Sequence, residues 1–289
     1  MTRLRPSLHR AAARLAGLRS RRDRGRLGQL GAKAVRPKSL AAFALPLLLA
    51  ACAAGSAGPE TALPAGDIFG PASGNGIQTV VAVLTDGDSA AIPDTNRRFA
   101  AAAARAIPTS AAVALPPLTG DGLDPALEGY GTRAVAAVGE SITALRRRYP
   151  RARIVVVGDA GGAALAANLA GVQPHLVDGI VLVACPCALP EWRAHIQSQA
   201  GALSAATSAG LDPLKTAGGI SPALRAAVLV GADDPVTPVK FSRAYAEALT
   251  LRGIATDYRI VPGKGHQLLE DPEVLAATER LAAALTRKI

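Results

Sequence analysis

Three short stretches hold residue types that can do chemistry. GADDPVTP, residues 231–238, carries Asp234, and VPGKGHQLLED, residues 261–271, carries His266. A carboxylate that fixes the tautomer of an imidazole and stabilises its protonated form lets that imidazole activate a nucleophile. The third stretch, IVVVGDAGGAALAANLA at 154–170, runs from β-branched residues through glycines straight into an Ala-rich helix. Its turn contains neither Ser nor Cys. Taken singly, Asp234 before Pro235 also fits a plain turn residue, and His266 fits a helix-cap or surface histidine.

The elements around these stretches set their positions. Apolar runs at 79–84, 110–118, 152–158, 177–185, 225–231 and 257–263 read as strands. Between them, helical spacing is expected at 97–106, 132–148, 161–171, 239–253 and 272–285. Continuous apolar strands alternating with helices predict an α/β fold with a mostly parallel, doubly wound sheet covered on both faces. Residues 188–221 interrupt the alternation and read as a helical insertion holding the only tryptophan, Trp192.

In order and setting, these stretches over residues 78–289 resemble the α/β-hydrolase family. The resemblance implies an α/β-hydrolase-like sheet and a cap formed by 188–221. It puts the triad acid at Asp234, in a G-x-x-D-x-x-x-P setting, and the catalytic histidine at His266. The family's nucleophile elbow, G-x-S-x-G, aligns without gaps on Gly158-Asp159-Ala160-Gly161-Gly162, which sets Ala160 where the nucleophile belongs. A methyl group cannot attack a carbonyl, so the covalent step is lost in this register. Any residual chemistry then depends on oxyanion donors and a water activated by the histidine. A shift of one residue makes Asp159 the nucleophile, resembling the turn of haloalkane dehalogenases and epoxide hydrolases. That register needs Val157 where a small residue is expected, lacks the neighbouring Trp and throws the helix out of phase, so Ala160 is preferred. Gly87, in the loop TDGDS, and Gly161 are the implied oxyanion donors. Asp86-Gly87 stands where the family usually has His-Gly, and Gly87 also reads simply as a turn glycine.

Other reactive residues are sparse. Cys185 and Cys187, in ACPCALP, are spaced too closely for a zinc pair and have no accompanying cluster. They can form a disulfide or leave a free thiol, and a Cys185–His266 pairing is conceivable. His9, His175 and His195 show no ligand spacing, and GDAGG lacks the Lys-Ser/Thr of a phosphate loop. No cofactor and no metal are expected.

The formal charge of +10 is local. Twelve of the 32 Lys and Arg lie in residues 1–38 with one acid, Asp23, leaving 20 bases against 21 acids in the rest. A domain near neutrality carries no footprint for a phosphate backbone, so no nucleic acid is expected to bind it. LAAFALPLLLAA, residues 40–51, is too short to span a bilayer but suits a signal-peptide core, and LAAC, ending at Cys52, resembles a bacterial lipobox. The chain therefore divides into a basic extension at 1–34, a lipoprotein signal at 35–52, a flexible tether at 53–76 and the hydrolase-like domain at 77–289. The extension is either an upstream artefact of the start codon or an Arg-rich arm able to touch anionic lipid or nucleic acid. The expected partners are a lipid bilayer, through Cys52 on an exported protein, and a small-molecule or ester ligand. Three functions remain open: a degenerate, weakly active or non-catalytic binding protein, an active hydrolase, and a structural or interaction protein of the envelope.

Overall fold

The computed structural model describes residues 66–71, 74–85, 91–118, 130–200 and 210–287, all within the compact unit Ala57–Ile289. Cys52, Gly87 and the basic extension lie outside the described residues. Among the described residues no helix is long and apolar enough to cross a membrane.

Seven strands form one sheet: β1 (Asp67–Phe69), β2 (Thr79–Thr85), β3 (Ser110–Ala114), β4 (Arg153–Asp159), β5 (Gly179–Val183), β6 (Arg225–Gly231) and β7 (Ala255–Val261). Their spatial order is β1-β3-β2-β4-β5-β6-β7. All neighbours pair in parallel except β1, which runs antiparallel to β3 with Asp67 opposite Ala114. The helices are α1 (Asp94–Ala106), α2 (Thr132–Arg148), α3 (Gly161–Val172), α4 (Leu189–Ala200), α5 (Pro213–Thr216), α6 (Val239–Leu251) and α7 (Pro272–Thr286).

Strand alternation divides the core. Val80, Ala82, Leu84, Ile154, Val156, Ile180 and Leu182 pack with α2, α3 and α6, while Val81, Val83, Val155, Val157, Val181 and Val183 pack with α1 and α7. Strands buried on both faces need apolar residues at every position, which is why they read as unbroken runs. Helix α2 buries Ala134, Val135, Val138, Ile142 and Leu145, one stripe at helical spacing, and keeps three arginines in its last turn. Helix α3 is buried nearly all round because it lies between the sheet, α2 and the 211–220 segment. Its polar exception, Asn168, donates to Leu211 O at 2.8 Å and accepts from the Thr216 hydroxyl at 2.8 Å.

Three of the differences from the sequence reading bear on the architecture. The sheet begins at Asp67, inside the span read as tether. Three half-buried residues among glycines and a proline are too few to show a period. Strand β3 ends at Ala114 rather than Leu118, because Pro116 and Pro117 offer no N–H to the ladder. Only the first part of the 188–221 insertion, α4, stands at the carboxyl edge of the sheet. Its second part descends beside α3, where Thr216 and Gly219 press on Gly171.

Two glycines let α3 meet the sheet this closely. A Cβ on Gly162 would stand 2.5 Å from Leu84 O and 2.6 Å from the Thr85 Cα, and one on Gly158 would stand 2.5 Å from the Ala163 Cα. All of these obstacles are backbone and cannot rotate away. Gly162→Ala is therefore expected to lower stability by about 3 kcal/mol, read as a reduced urea midpoint at unchanged m.

Candidate active site

The parallel sheet delivers the ends of β4, β5, β6 and β7 to one edge, where loops can converge. Three of those loops hold the site.

The turn after β4 is the first. Asp159 closes the strand in regular register, opposite Thr85 on β2 and Val183 on β5. Ala160 follows with φ 51° and ψ −119° and stands at the N-cap of α3. An L-residue avoids this left-handed region unless its surroundings impose it, at a cost of about 1–3 kcal/mol. The tight contacts at Gly158 and Gly162 impose it here, together with the bond from Ala160 N–H to Val183 O at 3.0 Å. The residue at the apex of the strand-to-helix turn is thus Ala160, and Asp159 belongs to the strand. Gly161 opens α3, so its buried N–H is among the first-turn donors that have no acceptor within the helix.

The loop after β6 holds the acid. The Asp234 side chain is fully buried. Its Oδ1 accepts Val236 N–H at 2.9 Å and Thr237 N–H at 2.8 Å, and its Oδ2 accepts the Thr237 hydroxyl at 2.5 Å. His266, in the loop after β7, brings Nδ1 to 2.9 Å from Oδ2 and 3.2 Å from Oδ1. An ionised carboxylate only accepts, so Nδ1 carries the proton and Nε2 is the ring's basic nitrogen. Burial alone would push the Asp234 carboxyl up, but the bonds from His266 and Thr237 outweigh it and hold the group below the ordinary carboxylate range. The two loops are tied through backbone: Asp233 N–H donates to Lys264 O at 2.9 Å, and Gly231 lacks a Cβ where Lys264 O and Gly265 O close in.

Thr237 is a site residue that sequence reading passed over. Its signal was present, since Asp accepting from the N–H groups two and three residues on is a common turn habit and DPVTP offers that spacing. Thr237→Val removes a buried donor from a charged acceptor and is expected to cost about 2 kcal/mol. A depressed carboxyl pKa contributes stability above the unfolded value and loses it as pH falls through the folded one. The Thr237→Val penalty should therefore be complete at neutral pH and shrink in acid, as followed by urea midpoints across that range.

Helix α4 braces the acid loop. Trp192 Nε1 donates to Val236 O at 3.0 Å, His195 Nε2 lies 2.9 Å from Pro235 O, and Gln199 Nε2 donates to the same oxygen at 3.2 Å. Just before α4, Cys185 and Cys187 are joined as a disulfide and fully buried. Cys185 is therefore not a thiol, and the conceivable pairing with His266 is not formed. His175 sits in the 3-10 turn Pro174–Leu176, at the end of α3 far from the elbow. Among the described residues no group of three or more His, Cys, Asp or Glu could hold a metal ion.

Asp234, His266, Ala160 and Gly161 are thus held on loops and a helix start at one edge of the sheet. The pair can take a proton through Nε2, and a first-turn amide can meet an oxyanion. The residue at the apex of the turn carries only a methyl group.

No family model matches the chain, and no curated protein matches it. Solved structures do. Esterase PE8 aligns at TM-score 0.54 and 18% identity over 76% of this chain and 98% of its own. The Pyrococcus furiosus esterase Pf2001 aligns at TM-score 0.57 and 15% identity over 73% and 85%. The Paleococcus ferrophilus monoacylglycerol lipase aligns at TM-score 0.50 and 16% identity over 75% and 98%. The seven-stranded, mostly parallel sheet, its flanking helices and these likenesses give the chain the α/β-hydrolase fold.

Proposed function

We propose that the protein is an α/β-hydrolase-fold protein disarmed at its nucleophile, which binds an ester or similar carbonyl ligand and turns it over slowly or not at all. One observation carries this reading: the left-handed apex of the elbow is Ala160, while the Asp234–His266 pair facing the same edge is intact. An apex side chain with no oxygen or sulfur forms no acyl-enzyme. What remains is direct hydrolysis, in which Nε2 takes a proton from water, the water oxygen adds to the carbonyl, and the alcohol leaves with the proton returned by His266. Losing the nucleophile alone typically removes most of the rate while binding and oxyanion stabilisation leave a small remainder. Asp159 is the weaker candidate for a nucleophile, because it lies in the strand and not at the apex. We further propose that the protein is exported and lipid-anchored through Cys52, on the strength of the LAAC sequence.

The test is labelling by a fluorophosphonate probe. The parent should stay unlabelled, Ala160→Ser should label, and His266→Ala in the serine background should remove the label. If Ala160→Ser stays as inert as the parent, the edge is not a disarmed hydrolytic site.

A further inference from the structure

We infer that the ligand of this site carries a short acyl group of roughly two to four carbons, held in a small apolar cavity beneath the elbow; the inference rests on the proposed reading of the site. The cavity has a volume of about 70 Å³ and lies between the carboxyl ends of β2 and β3 and helices α2 and α3. Leu84, Leu115, Pro116, Leu118, Val138 and Leu165 line it, with Thr85 and Ser141 as the polar residues among those described. The Ser141 hydroxyl already donates back to Ala137 O at 3.3 Å.

One packing contact and one helix spacing relate it to the elbow. Gly162 rests on Leu84 and Thr85, which also wall the cavity, and Thr85 is the β2 neighbour of Asp159. Leu165 lies four residues after Gly161, so both occupy one face of α3, with Leu165 one turn deeper. In the proposed pose the carbonyl oxygen rests at the Gly161 N–H and the acyl carbons run one turn deeper along that face, toward Leu165.

The size sets the chain length. A cavity of about 150 Å³ lined by aliphatic residues holds a benzene ring, so half that volume takes roughly three carbons. None of the described wall residues carries a charge, so an acidic or basic acyl chain finds no partner among them. Each methylene that fits should raise kcat/KM by about fourfold, and each that does not should forfeit the gain.

The full-length chain carrying Ala160→Ser is assayed with p-nitrophenyl acetate, propionate, butyrate, hexanoate and octanoate. The optimum should fall at propionate or butyrate, with octanoate at least about tenfold lower. Leu165→Phe in that background should move the optimum to acetate. A profile rising to octanoate, or one that Leu165→Phe leaves in place, overturns the inference while the reading of the site stands. If Ala160→Ser hydrolyses none of these esters, the reading of the site fails, and the cavity is tested directly on the parent. Butyrate but not octanoate should then raise its melting temperature, and Val138→Phe should abolish the rise; equal shifts, or none, overturn the inference.

Discussion

Ala160→Ser is expected to raise kcat/KM for p-nitrophenyl butyrate by about two to four orders of magnitude over the parent. The change adds one oxygen to a Cβ that the fold already presents at φ 51° and ψ −119°. The backbone already holds the conformation, imposed by the close approaches at Gly158 and Gly162 on either side. In the proposed site the new hydroxyl is served by His266, whose Nδ1 proton is committed to Asp234, so that Nε2 is the nitrogen able to take its proton. A serine without such a base is a weak nucleophile, so His266→Ala in the serine variant should return the rate to the parent's level. Steady-state rates on the three proteins check this, with an initial burst of p-nitrophenol marking the acyl-enzyme.

Asp234→Asn in the same serine background is expected to cost about 10⁴-fold in kcat with little change in KM. The amide that replaces the carboxylate keeps the shape, and the loop can still accept from Val236 and Thr237 at its oxygen. Its NH₂ would occupy the place of the oxygen nearest Nδ1 and can only donate. The imidazole then carries its proton on Nε2, the nitrogen that must be empty. A fully buried acid also has no solvent to replace the lost charge when the ring protonates. A loss of only a few fold would mean that Asp234 serves the loop's structure and not the imidazole's tautomer.

Much of this was legible from residue types alone. Strands buried on both faces are unbroken apolar runs, so Thr79–Thr85 and Arg153–Asp159 declared themselves, as did α2 through its stripe. The glycines at 158 and 162 were readable as an elbow through the resemblance to the family's G-x-S-x-G turn, and each stands where a Cβ would meet backbone. The sequence left two registers open, since both Asp159 and Ala160 stand inside the glycine turn. Only the backbone angle identifies the apex. Strand β1 was illegible because three residues show no period, and its place is set by pairing with β3 and by the Arg97–Asp67 ion pair at 2.6 Å, thirty residues apart. The bracing of Pro235 and Val236 by α4 was illegible for the same reason: nothing local in Trp192, His195 or Gln199 points to a loop some forty residues on. Thr237, by contrast, was readable from turn chemistry.

The most direct measurement is a single turnover of p-nitrophenyl butyrate by the unmodified protein in H₂¹⁸O, followed by mass analysis of the peptide spanning residues 152–170. If the site lacks a nucleophile, no anhydride forms with a side chain. The peptide quenched during the turnover should then carry no butyryl group and keep its natural mass, with any heavy oxygen only in the released butyrate. A butyryl adduct on it would contradict the account. Heavy oxygen in the Asp159 carboxylate would show that it had attacked carbon and been freed by water, and that the site is armed.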